Sequence, residues 1–375
     1  MTTAAPAVVG MRLEEVDTPA LVLDLEAFET NLKRLAQAVG GRVRVRAHAK
    51  THKCPEIGKR QIAAGAVGVC CQKVSEAEAM VDGGIGDVLV SNEIVGARKL
   101  ERLAALARRA RVGVCVDNAA NVRDLQAAAR KAGAAIETYI ELEVGMRRCG
   151  VEPGEPALAL AKAIAASPNL TFAGMQAYQG RAQHLRSNDE RRAAIAAAAA
   201  AVRATRSLLE TSGIPCPTVT GAGSGTFMFE VAQGAWDEIQ PGSYVFMDQD
   251  YARNEWSPPQ PRFEHALFVL ATVMSRPGPN LAVVDAGLKA SSVDSGMPGV
   301  WQGKGLSAEL SYTRASDEHG WVEIAAGARA PALGDRLLLV PGHCDPTVNL
   351  YDWYVCVRGG VVEALWPITA RGAVY

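Results

Sequence analysis

RVGVCVDNAANVRDLQAAARKAGAAIETYIELEVG, residues 111–145, decides the fold. RVGVCVDN (111–118) is β-branched and apolar and reads as a strand. Residues 119–132 are rich in Ala, Leu and Arg, which favour helix. ETYIELEVG (137–145) reads as a second strand. Strand, helix and strand in succession make a β-α-β unit with parallel strands and a right-handed crossover.

The same texture repeats outward in both directions. RVRVRAHAK (42–50), AVGVCCQK (66–73) and DVLVSN (87–92) lie upstream. FAGMQAYQG (172–180), TVTGAG (218–223) and EIQPGSYVFMD (238–248) lie downstream. Helical stretches at 95–109, 155–166 and 187–212 separate them. The last includes AAIAAAAAAVRA (193–204), a small-residue helix suited to close packing. Eight strands in about 210 residues predict a closed (β/α)8 barrel, with an open doubly wound sheet as the alternative. After Asp250 the pattern changes. NEWSPPQPRF (254–263) reads as a linker. Beyond it come short runs with Gly-rich turns, among them ALFVLATVMS, NLAVVDAGLK, RLLLVPG and YDWYVCVRGG. The expected division is a barrel over 26–252 and a mainly antiparallel β domain over 262–375. DTPALVLDL (17–25) is strand-like, so residues 1–25 are assigned to the β domain.

Composition narrows the function. The 375 residues carry 39 Lys plus Arg against 40 Asp plus Glu, a balance that argues against a nucleic-acid or charged-membrane partner. No apolar run reaches the ~18 residues a membrane span needs. The start, MTTAAPAVVGMRLEEVDTP, shows no secretory pattern, and a cytoplasmic enzyme is expected. None of the eight cysteines forms a CxxC pair, which removes zinc-ribbon and thioredoxin readings. Most lie in strand-like runs and read as small buried hydrophobes; Cys344 alone sits inside a motif.

Three clusters can carry chemistry. Lys50, flanked by His48 and His52, follows the first barrel strand, at the end where barrel enzymes place their active groups. Such a lysine suits a Schiff base with an aldehyde cofactor, unless it is an ordinary surface lysine. GAGSGT (221–226) and PGSY (241–244) end the seventh and eighth strands, the recurrent phosphate site of barrels; a pair of tight turns is the alternative. His343 and Asp345 in HCDP share a face if that segment is extended, and can then hold one metal ion; a purely structural His–Asp pair is the alternative.

HAKTHK (48–53), CCQKVSEAE (70–78), RRCGV (147–151), QAYQG (176–180) with Gln183-His184, GSYVFMD (242–248), VVDAGLK (283–289), DEHG (317–320) and HCDPTVNLYDW (343–353) together resemble the D-threonine aldolase group. That group includes D-3-hydroxyaspartate aldolases, is a cousin of eukaryotic-type D-serine dehydratase, and belongs to the alanine-racemase-like pyridoxal phosphate enzymes. The resemblance spans nearly the whole chain. It implies a homodimer, a barrel followed by a β domain, pyridoxal 5'-phosphate, and a divalent metal (Mn, Mg or Zn). By position, Lys50 is similar to the Schiff-base lysine, Tyr178 to the ring packed on the cofactor, and Arg148 to the arginine near the cofactor or substrate carboxylate. Ser224, Gly225, Thr226, Gly242, Ser243 and Tyr244 resemble the phosphate cup, and His343 and Asp345 the metal pair. Dehydratases carry cysteine where Asp345 stands, so the pattern leans to an aldolase.

Two departures stand out. The phosphate loop of relatives is commonly GGGTGS, here GAGSGT, and Gln240 occupies the position of the alanine racemase arginine that faces the pyridine nitrogen. The resemblance implies retro-aldol cleavage of D-β-hydroxy-α-amino acids to glycine and an aldehyde. His184 is expected as base, with His52 as a second candidate. The alternatives are D-3-hydroxyaspartate as substrate, a D-serine-type dehydratase, and a non-catalytic carrier of the cofactor.

Overall fold

The computed structural model describes residues 4–303 and 305–375; residues 1–3 and 304, which fall in the expected β domain, lie outside them. The first strand, β1 (Ala20–Asp24), leads into a helix, Leu25–Val39. Eight strands then alternate with helices: β2 (Arg44–His48), β3 (Gly68–Cys71), β4 (Asp87–Glu93), β5 (Arg111–Val116), β6 (Ile136–Glu141), β7 (Leu170–Ala177), β8 (Thr218–Gly221) and β9 (Glu238–Ile239). They are parallel and close on themselves, β9 pairing with both β8 and β2. The barrel is therefore closed, and the open sheet is excluded.

Alternation along each strand explains the closure. Val69, Val88, Val90, Val112, Val114, Ile140, Met175 and Val219 belong to a core shared with buried helix residues such as Leu100, Leu103, Leu125 and Ile164. The intervening residues face the barrel axis, as the two-residue period requires. Cys70, Leu89, Cys115, Tyr139 and Ala173 form a small apolar cluster there. Nearer the strand starts, buried Arg46 donates to Glu238 Oε1 at 2.9 Å and Asp87 Oδ1 at 2.5 Å, and the Thr220 hydroxyl donates to Glu238 Oε1 at 2.9 Å. An aliphatic sleeve outside and a paired polar plug inside leave only the strand ends free for chemistry.

The eighth barrel strand is shorter than expected. Only Glu238 and Ile239 join the ladder, and a 3-10 turn occupies Ser243–Val245. Pro241 has no N–H to donate, which explains where pairing stops.

The remaining strands are β10 (Leu267–Gly278), β11 (Leu281–Val284), β12 (Gly299–Gln302), β13 (Gly305–Leu306), β14 (Leu310–Ala315), β15 (Gly320–Ile324), β16 (Arg336–Val340), β17 (Trp353–Arg358) and β18 (Val361–Pro367). The main path of this sheet runs β13-β12-β16-β10-β1-β17-β18, while β11, β15 and β14 branch from β10. β1 lies antiparallel to β10 and parallel to β17, so the start of the chain supplies an inner strand. Among the described residues, no helix is long and apolar enough to cross a membrane.

Arg46 and Glu238 side chains are 4% and 2% exposed, and removing Arg46 leaves buried Glu238 with only the half-exposed Arg44, 3.5 Å away, as counter-charge. Arg46→Leu is expected to cost about 3–5 kcal/mol in urea unfolding, and Arg46→Leu/Glu238→Leu to recover much of that loss. A single variant as stable as wild type would contradict this.

Candidate active site

The C-terminal strand ends surround a cavity of about 450 Å³, within the roughly 300–1,000 Å³ usual for small-molecule sites. His48 ends β2. Its Nδ1 accepts the Lys50 N–H at 3.3 Å, and its Nε2 lies 2.9 Å from the Gln72 amide nitrogen. Burial and the nearby Lys50 charge push His48 well below its usual range, which keeps it neutral.

Lys50 lies in the turn after β2 and lines the cavity. Its ammonium is ion-paired with Asp345 Oδ2. Burial alone would lower the lysine, but Asp345 outweighs it and the ammonium is raised. Burial would likewise raise the Asp345 carboxyl; Lys50 and His343 reverse this and bring it down to about 2. Asp345 Oδ1 is buried with no hydrogen-bond partner among the described residues.

Tyr178 follows β7 and Arg148 sits in the loop after β6; both line the cavity, with the guanidinium 5.7 Å from the ring centre. Behind Arg148, the ligand atoms of Glu93, Asp117 and Cys149 lie within 4.8 Å of one another. Burial raises the Glu93 carboxyl, and burial with the Glu93 charge pushes the Cys149 thiol up to about 11, which keeps it neutral. Gln240 also lines the cavity, and its amide donates to Gln176 Oε1 at 2.7 Å and Thr220 Oγ1 at 2.8 Å.

The expected phosphate cup divides. Ser224, Gly242 and Ser243 line the cavity, together with Ala222 and Gly223. Gly225, Thr226 and Tyr244 are not among the residues that line it. The Gly225 N–H donates to Gln183 Oε1 at 3.0 Å, and the Thr226 hydroxyl donates to Glu230 Oε1 at 2.8 Å. Thr226 is the N-cap residue of the helix Phe227–Gln233. The Tyr244 N–H donates to Ser224 Oγ at 3.0 Å, but its ring is buried and its hydroxyl contacts the Gln61 amide at 3.4 Å. An aromatic side chain after a barrel strand has no signal in sequence for which way it turns.

His184 ends a 3-10 turn, Arg181–His184, and lines the cavity. Its Nδ1 lies 2.6 Å from Asp250 Oδ2, so Nε2 is left for other partners. Arg186 and Arg253 donate to the other Asp250 oxygen at 2.5 and 3.1 Å. Burial would raise Asp250, but hydrogen bonds from Arg186 and His184 leave it lowered and ionised. His52 is elsewhere. It is fully buried, its Nδ1 accepts the Cys54 N–H at 3.1 Å, and burial lowers it to about 4. It lies in the turn before the helix Pro55–Ala63, does not line the cavity, and its placement argues against a role as base.

His343 and Asp345 are not on an extended segment. His343 caps a short helix, Cys344–Val348, and Asp345 lies in its first turn. Pro346 fits there because the first turn leaves N–H groups unpaired. Asp248 Oδ2 accepts the Cys344 N–H at 3.1 Å, and the Thr347 hydroxyl donates to the His343 carbonyl at 2.8 Å. The Cys344 thiol is fully buried and raised by burial, so it is a core side chain. His343 Nδ1 lies 2.8 Å from Asp294 Oδ2, in the SVDSG stretch (292–296).

These residues fit the groups that the resemblance implies. An amine, an aromatic ring, a guanidinium, two serine hydroxyls and two close backbone approaches share one cavity, as a phosphorylated pyridine aldehyde requires. His343 and Asp345 do not line the cavity themselves; an imidazole and a carboxylate with a buried, unpartnered Oδ1 are nitrogen and oxygen donors of the kind that holds a hard or borderline divalent cation. Sequence reading missed Asp250 and Asp294. They stand 66 and 49 positions from the histidines they hold, and only the fold joins them.

Comparison with known proteins follows the same division. Residues 23–250 match the alanine racemase N-terminal domain family, and residues 266–357 a putative serine dehydratase domain. A D-threonine aldolase of Arthrobacter sp. is 50% identical over 369 residues, 98% of this chain and 96% of that one. A 3-hydroxy-D-aspartate aldolase of Paracoccus denitrificans (strain Pd 1222) is 48% identical, covering 99% of this chain and 96% of that one. The crystal structure of D-threonine aldolase from Filomicrobium marinum superposes with a TM-score of 0.96 at 52% identity, covering 99% of this chain and 100% of that one.

A Cβ on Gly242 would stand 2.6 Å from Thr51 Oγ1 and 3.1 Å from the His48 carbonyl. Gly242→Ala must therefore shift the cavity wall, at a cost of about 1–3 kcal/mol. Titration with pyridoxal phosphate is expected to show a raised Kd; an unchanged Kd would detach Gly242 from the cofactor.

Proposed function

The chain belongs to the family of D-threonine and 3-hydroxy-D-aspartate aldolases, which is built on the alanine racemase N-terminal domain, and from that premise we propose how its residues act. The reaction is retro-aldol cleavage of a D-β-hydroxy-α-amino acid to glycine and an aldehyde. One observation carries this reading: Lys50 and His184 open into one cavity, and Asp345 reaches Lys50 from the β sheet.

Lys50 would hold the aldehyde end of pyridoxal phosphate, and Ser224 and Ser243 with the backbone at Gly223 and Gly242 would hold its phosphate. When bound, that cofactor supplies the electron sink for the pair released as the Cα–Cβ bond breaks. Arg148 would offer a guanidinium to the substrate carboxylate or to the cofactor, and the Tyr178 ring would give the cofactor an aromatic contact. Gln240 provides a neutral partner in place of the racemase arginine. His343 and Asp345 would hold a divalent cation, Mn, Mg or Zn, whose chemistry there is to lower the pKa of a hydroxyl bound to it.

His184 takes the β-hydroxyl proton at Nε2. Asp250 accepts the Nδ1–H of the same ring, fixes its tautomer, and stabilises the positive charge the ring acquires. Proton removal at the hydroxyl drives formation of the aldehyde carbonyl, and a proton delivered to Cα completes glycine. Elimination of the hydroxyl, the dehydratase outcome, would need that oxygen to leave with a proton instead.

A second substrate is favoured by one feature. Arg181 lines the cavity and makes no ion pair among the described residues, so its charge is free for a second carboxylate, as in D-3-hydroxyaspartate.

Product analysis with D-threonine is expected to give glycine and acetaldehyde; an α-keto acid with ammonia would overturn the aldolase reading. His184→Gln should lower kcat by about 10²–10⁴-fold, the usual range for a lost general base, with the bound-cofactor spectrum intact. Full activity after metal chelation with the cofactor retained would remove the metal from the scheme.

A further inference from the structure

The SVDSG stretch between β11 and β12 takes no part in the reading so far, yet it is closely built against the proposed metal pair. Asp294 Oδ2 lies 2.8 Å from His343 Nδ1. The Ser292 hydroxyl donates to Asp294 Oδ1 at 2.8 Å, and the Ser295 hydroxyl donates to Asp294 Oδ2 at 3.2 Å. The carboxylate thus has three local partners and a fixed direction.

The stretch is also locked to the helix that carries His343 and Asp345. The Ser292 N–H donates to Thr347 Oγ1 at 3.2 Å, and the Thr347 hydroxyl donates to the His343 carbonyl at 2.8 Å. A Cβ on Gly342 would stand 2.0 Å from the Gly296 carbonyl oxygen, so the two backbones touch next to His343. Arg253 donates to the Ser295 carbonyl at 2.8 Å from the barrel side.

We infer that Asp294 is a positioning residue for the metal: it orients His343 and directs its Nε2 lone pair at the cation. An imidazole that coordinates through Nε2 must carry its proton on Nδ1, and a carboxylate 2.8 Å away fixes both that tautomer and the ring plane. The carboxylate also makes the coordinating nitrogen more basic, and by engaging Nδ1 it leaves Nε2 as the nitrogen for the cation. This rests on the reading of His343 and Asp345 as metal ligands.

The test is Mn²⁺ binding to the cofactor-loaded protein, followed by calorimetry or by the electron paramagnetic resonance of free Mn²⁺, in wild type, His343→Ala, Asp294→Ala and Asp294→Asn. The expected order is tight binding in wild type, loss in His343→Ala, and a Kd raised by about 10–100-fold in Asp294→Ala. Asp294→Asn should fall between, because its side-chain oxygen still accepts the Nδ1–H without the charge. The metal-free melting temperature and the cofactor absorbance should stay at wild-type values in both Asp294 variants, which separates positioning from a general loss of structure. Wild-type Kd in Asp294→Ala overturns the inference. Should that variant not fold, Asp294→Asn decides, and a Kd equal to wild type overturns it. Binding that survives in His343→Ala overturns the metal reading itself, and the inference with it.

Discussion

The ion pair between Lys50 and Asp345 joins the two halves of the protein at the point where the chemistry is proposed. Lys50 stands at the mouth of a parallel barrel, and Asp345 comes from a helix beyond the sheet strand Arg336–Val340. The Asp345 side chain is 12% exposed and that of Lys50 42%, so the carboxylate is the partner that most needs its opposite charge. Neither half supplies both charges. One core accommodates this: Ala47, Ile57 and Ala222 of the barrel cluster with Leu267, Leu339 and Tyr354 of the sheet. The cavity is a property of the junction between them.

That dependence explains what could be read from sequence. Each barrel strand must bury both of its faces, so each appears as a short apolar run. The helices at 119–132, 155–165 and 188–211 fall where composition places them. The strand Ala20–Asp24 was legible for the same reason, as an apolar run ahead of the first barrel helix. The misread elements are those whose conformation is set by a distant partner. HCDPT reads as extended from sequence, but Asp248 accepts the Cys344 N–H and Thr347 closes on His343, which makes a helical turn. Thr226 carries a hydroxyl in a glycine-rich loop, yet that hydroxyl is spent on Glu230, one helical turn ahead. Composition reports that a group is present and leaves open whether it is already used.

The histidines make the same point at closer range. Six occur, and sequence position alone ranked His52 with His184 because His52 lies near the lysine. Neighbours in sequence at a strand end diverge at once. His48 faces the cavity, while His52 turns under the following helix and is neutralised by burial. His184 reaches the cavity from a loop more than a hundred positions away, and its carboxylate partner is farther still.

Two carboxylate–imidazole pairs flank the cavity, and one side chain touches the supports of both. Arg253 donates to Asp250 Oδ1 and to the Ser295 carbonyl, next to the residue that holds His343. The proposed base and the proposed metal ligand are thus braced against a common guanidinium through groups that do not themselves react. A loose base or a loose ligand loses rate steeply with small displacements, and both histidines lie on short connecting segments. Rigidity has to come from these second partners, since neither a strand nor a long helix carries the two rings. These short connections are therefore where the chemistry of this chain is held in register.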